Sequence, residues 1–582
     1  MKKLSAPTAS SASENELKQA LVEQYPLFKK VLLFTLLTTL LSLVPTGYMM
    51  EVYDRVLNSR NERTLLMLTV LALAMYMLLE IIEHVRLELL VAAATRIEER
   101  LRLRLLALGM RAQLLRMPFH PSQLLADLRT LRESLGSSAA TAFFDAPMSI
   151  IFLILVYLIH PLLGHFALIG ALIQFAISYM SERRIQKPFE QAGEEAQRST
   201  AFAGGAFRGA QIVHALGMEK TMHDQWLQKQ DRFLVMQAEA SEHAGFNSAV
   251  SKFIQNMQAS LILGLSCWLT LQGLFSGGGA MMIVASILGG RILQPLVMIT
   301  SQWRMLAGFL DAYKRLNLAL AALPPEPQTM PLPAPKGVLS VEGLSLVPQG
   351  SRQMVLRGVQ FALQPGQALM VLGPSAAGKS SLCKALVGVW APAAGSVRLD
   401  GANVFAWNKD ELGPYVGYVP QEVELLEGTI AENICRFADP DREKLDEVIE
   451  LMGLGQWLAS IEGGENFEIT EQNPRLSGGE RQRLAIARAL YGQPRLVVMD
   501  EPNASLDEVG EVQLAQVITR LRERGVTVVV VSHKTRLLSV VDHVLILKDG
   551  AQQAFGPRDQ VLQALRQSQQ QAAQQASKAV ST

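Results

Sequence analysis

LSGGERQRLAIARAL (residues 476–490) opens on a Ser-Gly-Gly turn and runs directly into a helical repeat. Small residues let backbone N–H groups approach an anion, and the helix N-terminus adds the positive end of its dipole. Earlier in the chain stands GPSAAGKS (residues 373–380), which fits G-x-x-x-x-G-K-[ST]. It lies between ALMVL, a buried-strand pattern, and SLCKALVG, a helical one, which is the context a phosphate loop requires. Gly373, Pro374, Ser375, Ala376, Ala377 and Gly378 form the loop, and Lys379, Ser380 and Ser381 open the helix. Backbone N–H groups are expected to hold the phosphates, Lys379 to reach the β- and γ-phosphates, and Ser380 to ligate Mg²⁺. ATP is therefore the expected ligand and Mg²⁺ the expected metal. One nucleotide needs one such cradle, yet this stretch of chain carries two.

A chain of 582 residues is too long for one core. It is 49% hydrophobic, and its uncharged runs fall almost entirely before residue 305. A net charge of +1 gives no sign of a nucleic-acid binder. The three cysteines show neither CxxC nor metal spacing and read as reduced thiols. The N-terminus, MKKLSAPTASSASENE, has no apolar core and is not a secretory signal. It reads as a polar tail, and the following ELKQALVEQYPLFKK as an amphipathic helix at the membrane surface.

Six transmembrane spans are expected, since each needs about 20 apolar residues. They are residues 31–50, 65–82, 139–159, 161–181, and two within 253–302, separated by the Gly-rich LFSGGGA. Connections at 84–138 and 182–250 are long, helical and rich in Arg and Lys, which places them in the cytoplasm with both chain ends. Arg291 falls well inside the sixth span, where it must face a polar cavity or an anion. Asp145 in the third span is the candidate partner, and a lining role on the transport path is the other reading. A Pro-rich linker occupies 323–337. From 338 to 556 short β runs alternate with helical runs, the pattern of an α/β domain with a largely parallel sheet. A Gln-rich tail, 557–582, closes the chain.

RLVVMDEP (residues 495–502) is a second buried strand, and it ends in two carboxylates. Asp500 suits a Mg²⁺ shell, since hard cations take oxygen ligands. Glu501 suits the base that orients or deprotonates the attacking water. VTVVVVSH gives a third strand, ending at His533, placed to touch the γ-phosphate.

GPSAAGKS, YVPQE with Gln421, LSGGE, LVVMDEP, SLD with Asp507, and SHK with His533 together resemble the ATP-binding cassette (ABC) family in order and spacing. The resemblance implies that two cassettes face head to tail. Each ATP then lies between GPSAAGKS of one chain and LSGG of the other. It further implies that Ser477, Gly478 and Gly479 act in trans. Gln421 joins the metal shell and the catalytic group with Glu501 and His533, and Asp507 joins the nucleotide contacts. One cassette per chain makes a homodimer the simplest assembly. Two departures stand out. Glu480 occupies the usual Gln position, where a carboxylate near triphosphate is expected to slow turnover. No aromatic residue lies near Pro348 to stack on adenine.

YMMEVYDRVLNSR (48–60), FFDAPMSIIFLILVYLIHPLLG (143–164) and SILGGRILQP (286–295) resemble type I secretion ABC transporters, in the branch exporting proteases, lipases and haemophores. That resemblance implies ATP-driven export of an unfolded protein with a C-terminal signal across the bacterial inner membrane. The implied partners are a periplasmic adaptor and an outer-membrane channel of the TolC type. With the first span beginning near residue 31 and no Cys before Cys267, no N-terminal peptidase domain is expected. EKTMHDQW (219–226) is a candidate coupling helix, received at Gln421 with help from Glu471. The leading alternative is an exporter of lipids or small amphipathic molecules. An importer, or a non-transporting ATPase acting on nucleic acid, fits the fused membrane spans poorly.

Overall fold

The computed structural model describes residues 16–117, 119–275, 277–325, 330–349, 351, 353–470 and 476–567. The N-terminal tail, the centre of the Pro-rich linker, Glu471 and residues 568–582 lie outside the described residues. The chain divides between Pro325 and Glu326 into two compact units.

The first unit is helical. Five of its described helices are long and apolar enough to cross a membrane: Tyr25–Ser59, Glu62–Leu114, Ser138–Ile159, Pro161–Met180 and Gly278–Ser301. The Glu62–Leu114 helix starts at Asn61, whose side chain accepts from the N–H groups of Arg63 and Thr64. Its two halves carry opposite patterns. In the first, Leu66, Met67, Val70, Leu71 and Leu73 face outward, as lipid-facing residues do. In the second, Leu90, Ala94, Ile97, Leu101, Leu105 and Leu108 form a buried stripe at helical spacing. From Ile97 to Leu108 that stripe packs on Leu124, Leu128 and Leu131 of helix Pro121–Leu135 and on Leu316 and Leu320.

The expected fifth span falls in helix Glu219–Leu271. Gln255, Asn256 and Gln258 dilute its apolar stretch, and it is absent from the five. The two glutamines donate to the next helix. Gln258 donates to the Gly289 carbonyl at 2.9 Å, and Gln255 to Gly290 at 3.1 Å. Ser286 donates back to the Ala259 carbonyl at 2.7 Å. The backbones approach closely: a Cβ on Gly289 would lie 2.3 Å from Ile262 Cδ1. Small residues plus interhelical hydrogen bonds are how helices associate in lipid.

Three expectations need correction. Helix Glu16–Glu23 buries Leu17 and Ala20 among Ile97, Leu105 and Leu320, and Glu16 pairs with Arg104. Its apolar face is thus spent on protein, not on the membrane surface. The separate short helix of the second long connection is Ala210–Ala215; Glu219–Trp226 is the start of the 53-residue helix that follows. Asp145 pairs with Arg86 at 2.5 Å, and Arg291 has no ion pair or hydrogen bond among the described residues.

The second unit holds a ten-stranded sheet: β1 Leu339–Leu346, β2 Leu356–Leu363, β3 Ala368–Leu372, β4 Ala394–Leu399, β5 Ala402–Asn403, β6 Val416–Val419, β9 Leu496–Asp500, β10 Thr527–Val531, β11 His543–Lys548 and β12 Ala551–Pro557. β7 Gly428–Thr429 and β8 Glu468–Ile469 form a separate small pair. The order is β5-β4-β1-β2-β12-β11-β3-β10-β9-β6. β6, β9, β10, β3 and β11 run parallel, as expected. β1–β2 and β4–β5 are successive antiparallel pairs, and β1 also pairs antiparallel with β4. The alternation of strand side chains splits the core. Leu369, Val371, Val498 and Val529 point into one layer, and Met370, Val497, Met499 and Val528 into the other.

Candidate nucleotide site

β3 delivers the GPSAAGKS loop. A Cβ on Gly373 would lie 2.3 Å from the Leu547 carbonyl, so no larger residue fits there. Ala376 takes a left-handed conformation (φ +63°) at the loop's tip. Lys379 begins helix Lys379–Leu386, and its Nζ donates to the carbonyls of Gly373 (2.7 Å) and Pro374 (3.0 Å). These bonds tie the ammonium across the concave backbone.

β9, flanked by β6 and β10, ends in Asp500 and Glu501. Asp500 is 1% exposed, and its Oδ1 has no hydrogen-bond partner. Burial pushes its carboxyl above the ordinary range; the Ser380 hydroxyl pulls it back and Glu501's charge adds to the rise. An orphaned buried carboxylate oxygen beside a hydroxyl is a donor set that fits a hard divalent cation.

Glu501 is a non-glycine residue with φ +51°. Its N–H donates to the Val531 carbonyl of β10 at 2.9 Å. Its Oε2 accepts from Gln421 Nε2 at 3.2 Å, and its Oε1 lies 3.9 Å from His533 Nε2. Gln421, Glu501 and His533, from three separate strand ends, therefore converge on one carboxylate.

Two residues outside the expected set fix this geometry. Ser532 donates to Asn503 Oδ1 at 2.8 Å, with both side chains buried, and accepts from the Lys534 N–H. The bond ties the segment bearing His533 to the one following Glu501. Ser532 is the first residue of the SHK motif, where sequence alone assigns it no role, and Asn503 follows DEP with no spacing signature of its own.

Ser477 caps helix Gly478–Leu490 in a capping box: its Oγ accepts from the Glu480 N–H, and its own N–H donates to Glu480 Oε2 at 2.6 Å. The second carboxylate oxygen, Oε1, accepts from Trp457 Nε1 at 2.6 Å. Gly479 lies against Ser505, whose carbonyl would be 2.9 Å from an added Cβ. Asp507 caps helix Glu508–Glu523 through the Gly510 N–H and stands 3.9 Å from Arg483.

The two cradles pack on opposite faces of the sheet. Leu382, Cys383 and Leu386 of the Lys379 helix join the layer of Val371 and Val498. Leu484, Ile486 and Leu490 of the Ser477 helix join the layer of Met370 and Val497.

Residues 356–504 match the ABC transporter family, and residues 30–292 match the ABC transporter transmembrane region. The type I secretion system ATP-binding protein PrsD of Rhizobium meliloti is 38% identical over 94% of both chains. The toxin RTX-I translocation ATP-binding protein of Actinobacillus pleuropneumoniae is 25% identical over 91% of this chain and 76% of its own. Among solved structures, a bacterial Atm1-family ABC exporter with ATP bound superposes with a TM-score of 0.81 over 95% of this chain, at 18% identity. That likeness establishes the fold alone.

Proposed function

The chain belongs to the ABC transporters of type I secretion systems, and from that premise we propose that it exports an unfolded protein carrying a C-terminal signal across the bacterial inner membrane. It is a multi-pass membrane protein that uses ATP. The relationship to PrsD along nearly the whole chain carries this reading. The working unit is a homodimer of six-span chains. The membrane part occupies 31–322 and the cassette 338–556, joined by the linker 323–337. A periplasmic adaptor, an outer-membrane channel and the secreted protein complete the system.

The opposite-face packing of the two cradles supports a composite site. Each ATP is held by the Gly373–Ser381 segment of one chain and by Ser477, Gly478 and Gly479 of the other, with Asp507 beside them. Lys379 binds the terminal phosphates. Ser380, Asp500 and Gln421 would hold Mg²⁺, which would supply neutralisation of phosphate charge. Glu501 takes the proton of the attacking water, Gln421 orients that water, and His533 faces the γ-phosphate. ATP closes the cassette pair and hydrolysis reopens it.

The test is secretion. Cells holding the adaptor and channel should release a reporter fused to a C-terminal secretion signal with the wild-type chain, and retain it with Lys379→Ala. An ATPase stimulated by lipid and indifferent to the signal peptide would favour the lipid-exporter reading.

A further inference from the structure

We propose that Trp457 and Glu480 are a matched pair that positions the Ser477 turn, so that the carboxylate in place of the family's usual Gln is required here by the indole. The proposal rests on the reading of Ser477 as a phosphate contact. An indole Nε1–H is a donor only, and so is a backbone N–H. Glu480 meets both with one oxygen each, at 2.6 Å in both cases. An amide offers one acceptor oxygen and one nitrogen that only donates. Whichever way a glutamine side chain were turned at this position, its NH₂ would face an N–H of Trp457 or of Ser477.

The geometry gives the pair a mechanical role. Trp457 belongs to the short helix Gly455–Ser460, whose Leu458 is buried in the same layer as Leu484 of the Ser477 helix. The indole therefore pins the first turn of one helix to the next. Within that turn Ser477 Oγ accepts from the Glu480 N–H. The hydroxyl's own hydrogen remains the one it can donate to an anion. The carboxylate is itself engaged by N–H groups of its own chain. Burial raises its proton affinity, but the bonds from Ser477 and Trp457 and the charge of Arg483 outweigh this and hold it below the usual range. The carboxylate thus stays ionised, its charge stabilised by donors of its own chain and by Arg483.

The test uses the full-length chain in lipid nanodiscs, reading ATPase kcat and KM together with the dissociation constant of a fluorescent ATP analogue. Glu480→Gln, which restores the family's usual residue, should lower kcat about tenfold, the scale of one unsatisfied donor. Nucleotide affinity should stay within about twofold, because the Lys379 loop is untouched. Adding Trp457→Phe removes the facing donor and should return kcat to within about threefold of wild type, a coupling that a merely structural loss would not produce. If Glu480→Gln fails to fold, the double variant decides: it should fold and hydrolyse ATP, and its failure to do so overturns the pair. Turnover in Glu480→Gln at or above wild type overturns it also, as does a double variant no better than the single one. Ser477→Arg separates the levels. Its loss of turnover alongside an unaffected Glu480→Gln sinks the pair alone; its full turnover sinks the phosphate-contact reading and the pair with it.

Discussion

Glu501 holds the left-handed region without being glycine, which costs about 1–3 kcal/mol. The cost is sustained because β10 takes its N–H and Ser532–Asn503 braces the neighbouring segments. The result is a carboxylate aimed at Gln421 and His533. Glu501→Gln keeps the loop, Lys379 and Asp500 but removes the proton acceptor. ATP binding should persist while turnover falls by about 10²–10⁴, the range of general-base catalysis. Near-normal hydrolysis by the purified variant would refute the assignment. Lys379→Ala should instead raise the ATP dissociation constant, measured by equilibrium binding. The residues of this site were legible in sequence because phosphate and metal chemistry demands fixed residue types at fixed spacing after strands. The pairing of Ser532 with Asn503 was not, since each adjoins a motif residue but nothing in the sequence links the two.

At the scale of helices, the membrane half conceals its pairings. Arg86 is 3% exposed and bonds Thr38, Glu83 and Asp145, drawing the helices of residues 25–41, 62–114 and 138–159 together. No periodicity links Arg86 to a residue 59 positions away, so the sequence offers Arg291 as the candidate partner of Asp145 and the structure supplies Arg86 instead. The dilution of the expected fifth span has the same root: Gln255 and Gln258 look polar in sequence, and their NH₂ groups find acceptors only on a neighbouring helix. Removing one partner of a buried ion pair costs about 3–5 kcal/mol; Asp145 is 31% exposed, so about 1–3 is the fitting scale here. Arg86→Leu should therefore reduce the folded yield in membranes, read as monodisperse protein after extraction. Asp145→Asn in the same chain should restore much of it by removing the orphaned charge. Arg291 shares a cavity of about 180 Å³ with Arg86, Asp145, Glu83 and Gln294. With no ion pair of its own among the described residues, Arg291→Ala should leave yield and basal ATPase near wild type and reduce secretion. A fall in yield matching that of Arg86→Leu would mark Arg291 as structural.

For the whole molecule, the proposed assembly draws on one observation: a single sheet carries one cradle's helix on each face. On the proposed reading, a chain with its two halves on opposite faces completes a site with a second copy, and head-to-tail pairing closes two sites at once. This makes a quantitative demand on mixed dimers. Lys379→Ala destroys the loop half and Ser477→Arg the opposing half, so each homodimer has no intact site. A dimer of one chain of each kind has one site damaged on both sides and one intact on both. If the sites act independently, mixing should recover ATPase activity that neither variant has alone. If both must fire together, mixing recovers nothing, and activity alone cannot separate strict coupling from a failed assembly model. Disulfide trapping does separate them. With the native cysteines replaced, chains carrying Ser380→Cys should crosslink to chains carrying Ser477→Cys in the presence of ATP, giving a covalent dimer on non-reducing gels. A crosslinked dimer without recovered activity means two coupled composite sites. Recovered activity means two independent ones. The absence of both means that the two cradles do not meet across chains, and the head-to-tail homodimer falls.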